Sequence, residues 1–172
     1  MSRTDNLHER PKGLPEPTDD GACDHLPGMR LPSVALMSTA GELVDLSALL
    51  GRTVVYCYSR TGRPGEGSPR GWDEIPGARV FGLSTQSTEY QREAAEQLRL
   101  PFALLSDEKL AFARVLRLPT FEVEGMTLIK RLTLVADEGR IEEVFYPVFP
   151  PDENAKEVAQ WLSRNARAGR RR

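Results

Sequence analysis

The chain is poor in the residues on which most redox and metal chemistry depends. Of its 172 residues only two are cysteine, Cys23 and Cys57, and only two are histidine, His8 and His25. Two distant cysteines exclude a disulfide scaffold, and neither belongs to a Cys-x-x-Cys pair. Asp24-His25 beside Cys23 could be read as a metal cluster, but no second ligand pair accompanies it, and a solvated segment is the preferred reading. No apolar run is long enough to span a bilayer, so no membrane partner is expected. Charge of neither sign dominates: 23 Lys and Arg against 25 Asp and Glu leave a formal net charge of -2. That balance offers no field for nucleic acid, and no nucleic-acid partner is expected. Met1 to Arg30 lacks the apolar stretch of a secretory signal, and a cytoplasmic location is expected. The Gly-rich run from Gly62 to Gly67 lacks the Lys-Ser/Thr of a phosphate loop, and Ser84 and Thr85 have no histidine placed to activate them.

A second absence is structural. Two strand signals, Thr53 to Tyr58 and Arg79 to Ser84, are joined by Ser59 to Ala78, which holds five glycines and three prolines and has no helical apolar period. Parallel strands need a crossover, normally a helix, so this connection is anomalous if the two strands run parallel.

What is present reads as one domain. Met1 to Gly28 is rich in Pro, Gly and acidic residues and is expected to lack fixed structure, with order beginning near Leu31-Pro32. The domain is expected over 29–165, followed by a basic tail, 166–172. Val34 to Met37 and Leu43-Val44 flank a turn, and Asp45 to Gly51 reads as a single helical turn closed by glycine. The nearly continuous apolar run around Val54 predicts a strand buried on both faces. Thr88 and Gln91 form a capping box for a helix whose apolar face is Tyr90, Ala94 and Leu98. Phe102 to Leu105 is a strand. Asp107 caps a helix with Leu110, Phe112, Val115 and Leu116. Thr127 to Val135 pairs with Ile141 to Val148 across Asp137-Glu138-Gly139. Asp152 caps a final helix with Ala155, Val158, Ala159 and Leu162. The alternation predicts an α/β fold with a mixed central sheet and flanking helices, the first crossover helix missing.

Three blocks carry a family resemblance: VDLSALLGRTVVYCYSRTGRPGE, then FGLSTQSTEYQREAAEQLRLPFALLSDEKLAFARVLRLPTF, then KRLTLVADEGRIEEVFYPVFPPDENAKEVAQWL. Together, across Leu31 to Leu162, they resemble a peroxiredoxin of the alkyl hydroperoxide reductase and thiol-specific antioxidant family, nearest its bacterioferritin-comigratory or Q-type branch. The resemblance implies a thioredoxin-like fold and thiol-dependent reduction of a small hydroperoxide, with a thioredoxin-like protein as reductant and no cofactor. In such proteins a cysteine thiolate attacks the peroxide and becomes a sulfenic acid. It sits at the first turn of a helix, where amides and the helix dipole lower its pKa. A nearby arginine assists.

Two placements are open for the lead-in to that cysteine. Arg63-Pro64-Gly65 would put Glu66 in its place. Ile75-Pro76-Gly77-Ala78-Arg79 would mean that the cysteine, its helix and any resolving cysteine are absent before Val80. The second is preferred because it accounts for the missing helix as well. Either way the peroxidatic cysteine is absent, and loss of peroxidase activity is expected.

The candidates that remain are few. Cys57 is a substitute thiol, though a strand cysteine in an apolar setting is more often inert. Cys23 is expected to be exposed and incidental. Arg131, in Lys130-Arg131-Leu132, matches the family's pocket arginine; Lys130 and Arg131 should point to opposite faces of a strand. Tyr58 and Trp72 could line a pocket, although packing is the simpler role. The alternatives to an inactive relative are a thiol oxidoreductase using Cys57 or Cys23, and an interaction module acting through the Arg-rich tail. A sheet stripped of one helix should expose an apolar patch beside the Val54 and Val80 strands, or hide it in a homodimer.

Overall fold

In a computed structural model of the chain, the residues described are 19–58, 77–98, 100, 102–148 and 154–165, the side chain of residue 98 excepted. β1 (Ala35–Ser38) and β2 (Leu43–Asp45) form an antiparallel hairpin. Asp45 then caps a short 3-10 turn, Leu46–Ala48, its carboxylate accepting from Ser47 N at 2.9 Å. β3 (Arg52–Cys57), β4 (Ala78–Ser84) and β5 (Ala103–Ser106) run parallel to one another, with α1 (Thr88–Leu98) between β4 and β5. α2 (Ala111–Leu116) leads into a separate two-stranded ribbon, β6 (Thr120–Val123) and β7 (Met126–Ile129). β8 (Leu132–Asp137), β9 (Arg140–Phe145) and α3 (Asn154–Arg164) complete the fold. The main sheet has seven strands in the order β2-β1-β5-β4-β3-β8-β9. This is the mixed, thioredoxin-like α/β sheet expected from the alternation of elements.

The two faces of the sheet carry two apolar clusters. Val55 and Cys57 of β3 join Leu26, Leu46, Phe112, Leu116, Leu134 and Ile141 on one side. Val54, Tyr56 and Tyr58 join Leu104, Val135, Val158 and Leu162 on the other. A strand sandwiched this way must be apolar at consecutive positions, which is why the run around Val54 does not alternate. It also corrects the expectation of a bared face. Among the described residues of β3, every side chain from Thr53 to Cys57 is buried, and Val80 beside it is half-buried. α3 covers β3 on the second face through Val158 and Leu162.

The N-terminal boundary also needs correction. Residues 19–28 were expected to lack fixed structure, yet Leu26 is fully buried. The segment closes against β9, with Gly28 N bonded to Ile141 O at 2.8 Å and Leu31 N to Gly139 O at 2.8 Å. Two buried side chains, Cys23 and Leu26, and a row of backbone bonds hold a segment whose composition alone reads as a tail. Residues 1–18 and the basic tail 166–172 lie outside the described residues, as does the proposed cap Asp152.

Smaller differences have local causes. The cap of α1 is Ser87, whose Oγ accepts from Tyr90 N at 3.3 Å, one residue before the Thr88 expected. Gln91 does not reach back to the cap; it turns into the core, and Tyr90 is left largely exposed. Val115 is exposed while Phe112 and Leu116 are buried, because α2 spans under two turns and buries only one narrow face. The strand expected over Thr127 to Val135 is two strands, β7 and β8, separated at Lys130-Arg131, and β6 was not anticipated. Its turn uses Glu124 and Gly125, both at positive φ, without an Asn-Gly or Asp-Gly signal.

Candidate functional site

The register of β3 and β4 runs from Arg52 opposite Ala78 to Cys57 opposite Leu83, and Tyr58 N continues it by bonding Leu83 O at 3.0 Å. Because the two strands are parallel, their connection must return along the sheet from the Tyr58 end to the Arg52 end, about 20 Å. Residues 59–76, which hold Arg63-Pro64-Gly65-Glu66, Trp72 and Ile75-Pro76, lie outside the described residues, and with them the question of a crossover helix. Gly77 makes a left-handed turn at φ 74°, and Ala78 and Arg79 already belong to β4.

The two thiols can be judged directly. Cys57 has no exposed surface, and burial pushes its thiol up, with the Asp107 carboxylate and then Cys23 adding to the shift. Asp107 is itself buried and accepts from Phe112 N at 3.0 Å and Ala113 N at 2.9 Å. Those α2 amides, the groups that could favour an anion on this face, are therefore spent on a carboxylate. Cys23 was expected to be exposed, but only 6% of its surface is accessible. Burial pushes its thiol up to about 12, with Asp19, Asp20 and Asp24 adding to the effect. A nest of carboxylates is the opposite of the electropositive setting a reactive thiolate needs.

Arg131 is partly buried and lies in the link between β7 and β8 rather than on a strand. Lys130 Nζ pairs with Asp20 Oδ2 at 3.9 Å in an exposed setting. The Arg131 charge acts on the Tyr56 phenol, partly opposing the upward push of burial. Tyr56 stacks on Tyr58 with centroids 5.9 Å apart. Thr133, opposite Tyr56 in the β3–β8 register, donates to Asn154 Oδ1 at 2.5 Å and ties α3 to the sheet. His25 donates from Nε2 to the Leu116 carbonyl at 2.8 Å, closing the end of α2. Among the described residues no group of His, Cys, Asp or Glu is arranged to hold a metal ion.

One polar group was missed by sequence reasoning. Gln91 is completely buried and donates from Nε2 to Ser84 Oγ at 2.7 Å and to Leu105 O at 3.0 Å. A signal was available: Gln91 shares the period of Ala94 and Leu98, and a polar residue on the apolar stripe of a helix implies an internal hydrogen-bond network.

The parallel β3-β4-β5 core, the antiparallel β8-β9 pair and the closing helix α3 define a redoxin, and the Redoxin family profile matches residues 76–161. Within that class the chain belongs to the peroxiredoxin family, in its Q-type or Bcp branch. It is 31% identical over 145 residues to the chloroplastic peroxiredoxin Q of Sedum lineare, covering 78% of this chain and 76% of the relative. It is 31% identical over 147 residues to the peroxiredoxin Bcp of Escherichia coli strain K12, covering 78% of this chain and 94% of the relative. A mutant of peroxiredoxin Q from Xylella fastidiosa superposes with a TM-score of 0.70 at 23% identity, covering 83% of this chain and 98% of that one. Peroxidoxin BcpB of Mycobacterium tuberculosis gives 0.68 at 23% identity, covering 84% and 100%. These last two likenesses establish the fold.

Proposed function

We propose that this peroxiredoxin-family chain has lost thiol peroxidase activity and keeps the fold as a non-catalytic protein. The observation that carries the reading is the state of its only two thiols, one sealed in β3 and the other set among carboxylates. Family chemistry requires a thiolate to attack a hydroperoxide, releasing water or an alcohol and leaving a sulfenic acid, which a second thiol and a thioredoxin-like reductant then clear. No cysteine follows β3 in the sequence to begin it. Arg131, whose charge acts on the Tyr56 phenol, is the residue this reading assigns to the family's pocket arginine. A cytoplasmic location belongs to the same proposal, while the plant relatives are chloroplastic by name.

The test is peroxide consumption by the purified chain with a thioredoxin system, run beside dimedone trapping and mass spectrometry. Neither turnover nor a dimedone adduct at Cys23 or Cys57 is expected. Turnover at the rate of an active relative would overturn the proposal. An adduct at either cysteine would replace it with a thiol oxidoreductase that uses that residue.

A further inference from the structure

Arg30 and Arg140 face each other in an antiparallel bridge, where the N-terminal segment lies along β9. The flanking bonds, Leu31 N to Gly139 O and Ile141 N to Met29 O, are both 2.8 Å long. They make Arg30 and Arg140 a non-hydrogen-bonded pair, the kind whose side chains stand closest. Both side chains therefore leave the same face of the sheet, from Cα atoms about 4.5 Å apart. Both residues are exposed. Among the described residues, no carboxylate comes within ion-pair distance of either.

Like charges directly opposite on a sheet are destabilising, and the neighbouring carboxylates do not relieve this pair. In the register Arg52 stands opposite Asp137, and Asp137 opposite Arg140. Arg52, Asp137, Arg140 and Arg30 thus form one row across the sheet, on the face that α3 covers. The inner end of the row is neutralised. Arg52 pairs with Glu142 at 3.5 Å, donates to Asn165 O at 2.6 Å and lies 5.4 Å from the centre of the Trp161 ring. Asp137 is buried. Glu138 is turned to Gly51 N at 3.3 Å. Four of the seven residues that follow Asn165 are arginine, so no acidic segment continues the sequence from this corner.

Two guanidinium forks side by side suit an oxyanion with several oxygens and about two negative charges. A carboxylate fills one fork. A phosphate monoester brings three acceptor oxygens and, at neutral pH, close to two charges. The formal net charge of -2 on the whole chain disfavours a long polyanion and leaves a small one. We propose that Arg30 and Arg140 clamp the terminal phosphate of a small phosphorylated ligand. The clamp lies at the Arg52 end of the sheet, opposite the Tyr58 end.

Amide NMR titration of the full chain with phenyl phosphate tests this. Dimethyl phosphate, a singly charged diester that stands in for a nucleic-acid backbone, and sodium chloride at equal ionic strength are the comparisons. Phenyl phosphate should give saturable shifts centred on residues 29–31 and 139–141, and the diester should bind at least about tenfold more weakly. Arg30→Gln and Arg140→Gln should each weaken phenyl phosphate by about tenfold or more. Without ligand, each variant should unfold at the parent's Tm or slightly above it, because a like-charge repulsion is removed. Equal binding of the diester, shifts that do not saturate, or affinity that survives in either variant would overturn the proposal. So would a lowered Tm of either unliganded variant, since it would show that the arginine serves a structural partner.

Discussion

Asp45 and Asp107 are both capping carboxylates, and they should answer to pH in opposite directions. The Ser33 hydroxyl, at 2.6 Å, and then Ser47 hold the Asp45 carboxyl below its usual range. The folded chain thus binds fewer protons there than the unfolded chain, so the stabilisation is present above the ordinary carboxylate pKa and is lost as pH falls through the lowered value. Burial raises the Asp107 carboxyl despite the bonds from Ala113 and Phe112. The folded chain holds that proton to higher pH, so this group's contribution declines as pH rises above the ordinary value. Urea unfolding across the acid range should show Asp45→Asn with a weaker loss on the acid side, and Asp107→Asn without the decline on the rising side. Identical pH profiles for the variants and the parent would contradict both assignments. The thiols make a second prediction at this scale. Cys23 and Cys57 should stay unlabelled by a disulfide reagent in the native protein and both react once guanidine unfolds it, and rapid native labelling would contradict their burial.

Among the elements, the turns and close approaches are the places where one methyl group matters. Gly139 sits at φ 78° in the β8–β9 turn, and an added Cβ would stand 2.5 Å from the Ser47 carbonyl oxygen. Gly139→Ala should cost more than Gly82→Ala, because Gly82 meets side chains that can shift whereas Gly139 meets backbone at a strained φ. Gly82→Ala is expected to cost about 1–3 kcal/mol by overpacking. Chemical denaturation ranks the pair, and the reverse order would refute the comparison. The β8–β9 turn was legible because Glu138-Gly139 sits between two apolar runs. The buried β3 was legible because its apolar residues are continuous, and this correctly marked Cys57 as lying in the core. Gln91 was only half legible: its period with Ala94 and Leu98 pointed inward, but its spacing from Thr88 fits a capping box equally well, and the sheet beneath α1 decides between them. The same holds for Lys130-Arg131, where the break between β7 and β8 has no glycine or proline to announce it.

For the whole molecule, the segment from Asp19 to Leu31 belongs to the fold. Leu26→Ala should cost about 2–5 kcal/mol, the usual range for a buried leucine, and a chain starting at Leu31 should unfold at lower urea. If that truncated chain matched the parent's midpoint, the segment would be dispensable and this account of it wrong. Composition hid this role, since Asp, Gly and Pro outnumber apolar residues there, and two leucines five residues apart do not make a pattern. The lining of the sheet's margin has one more consequence. A sheet grows into a fibre by recruiting strands at its free sides, and this one offers little to recruit with. The β9 side is occupied at its start by backbone bonds from Gly28, Met29 and Leu31, and the Glu143 carboxylate takes Val144 N at 2.9 Å. The opposite side is β2, only three residues long. Among the described residues no long open margin remains, so strand-by-strand polymerisation should first require the N-terminal segment to be peeled away.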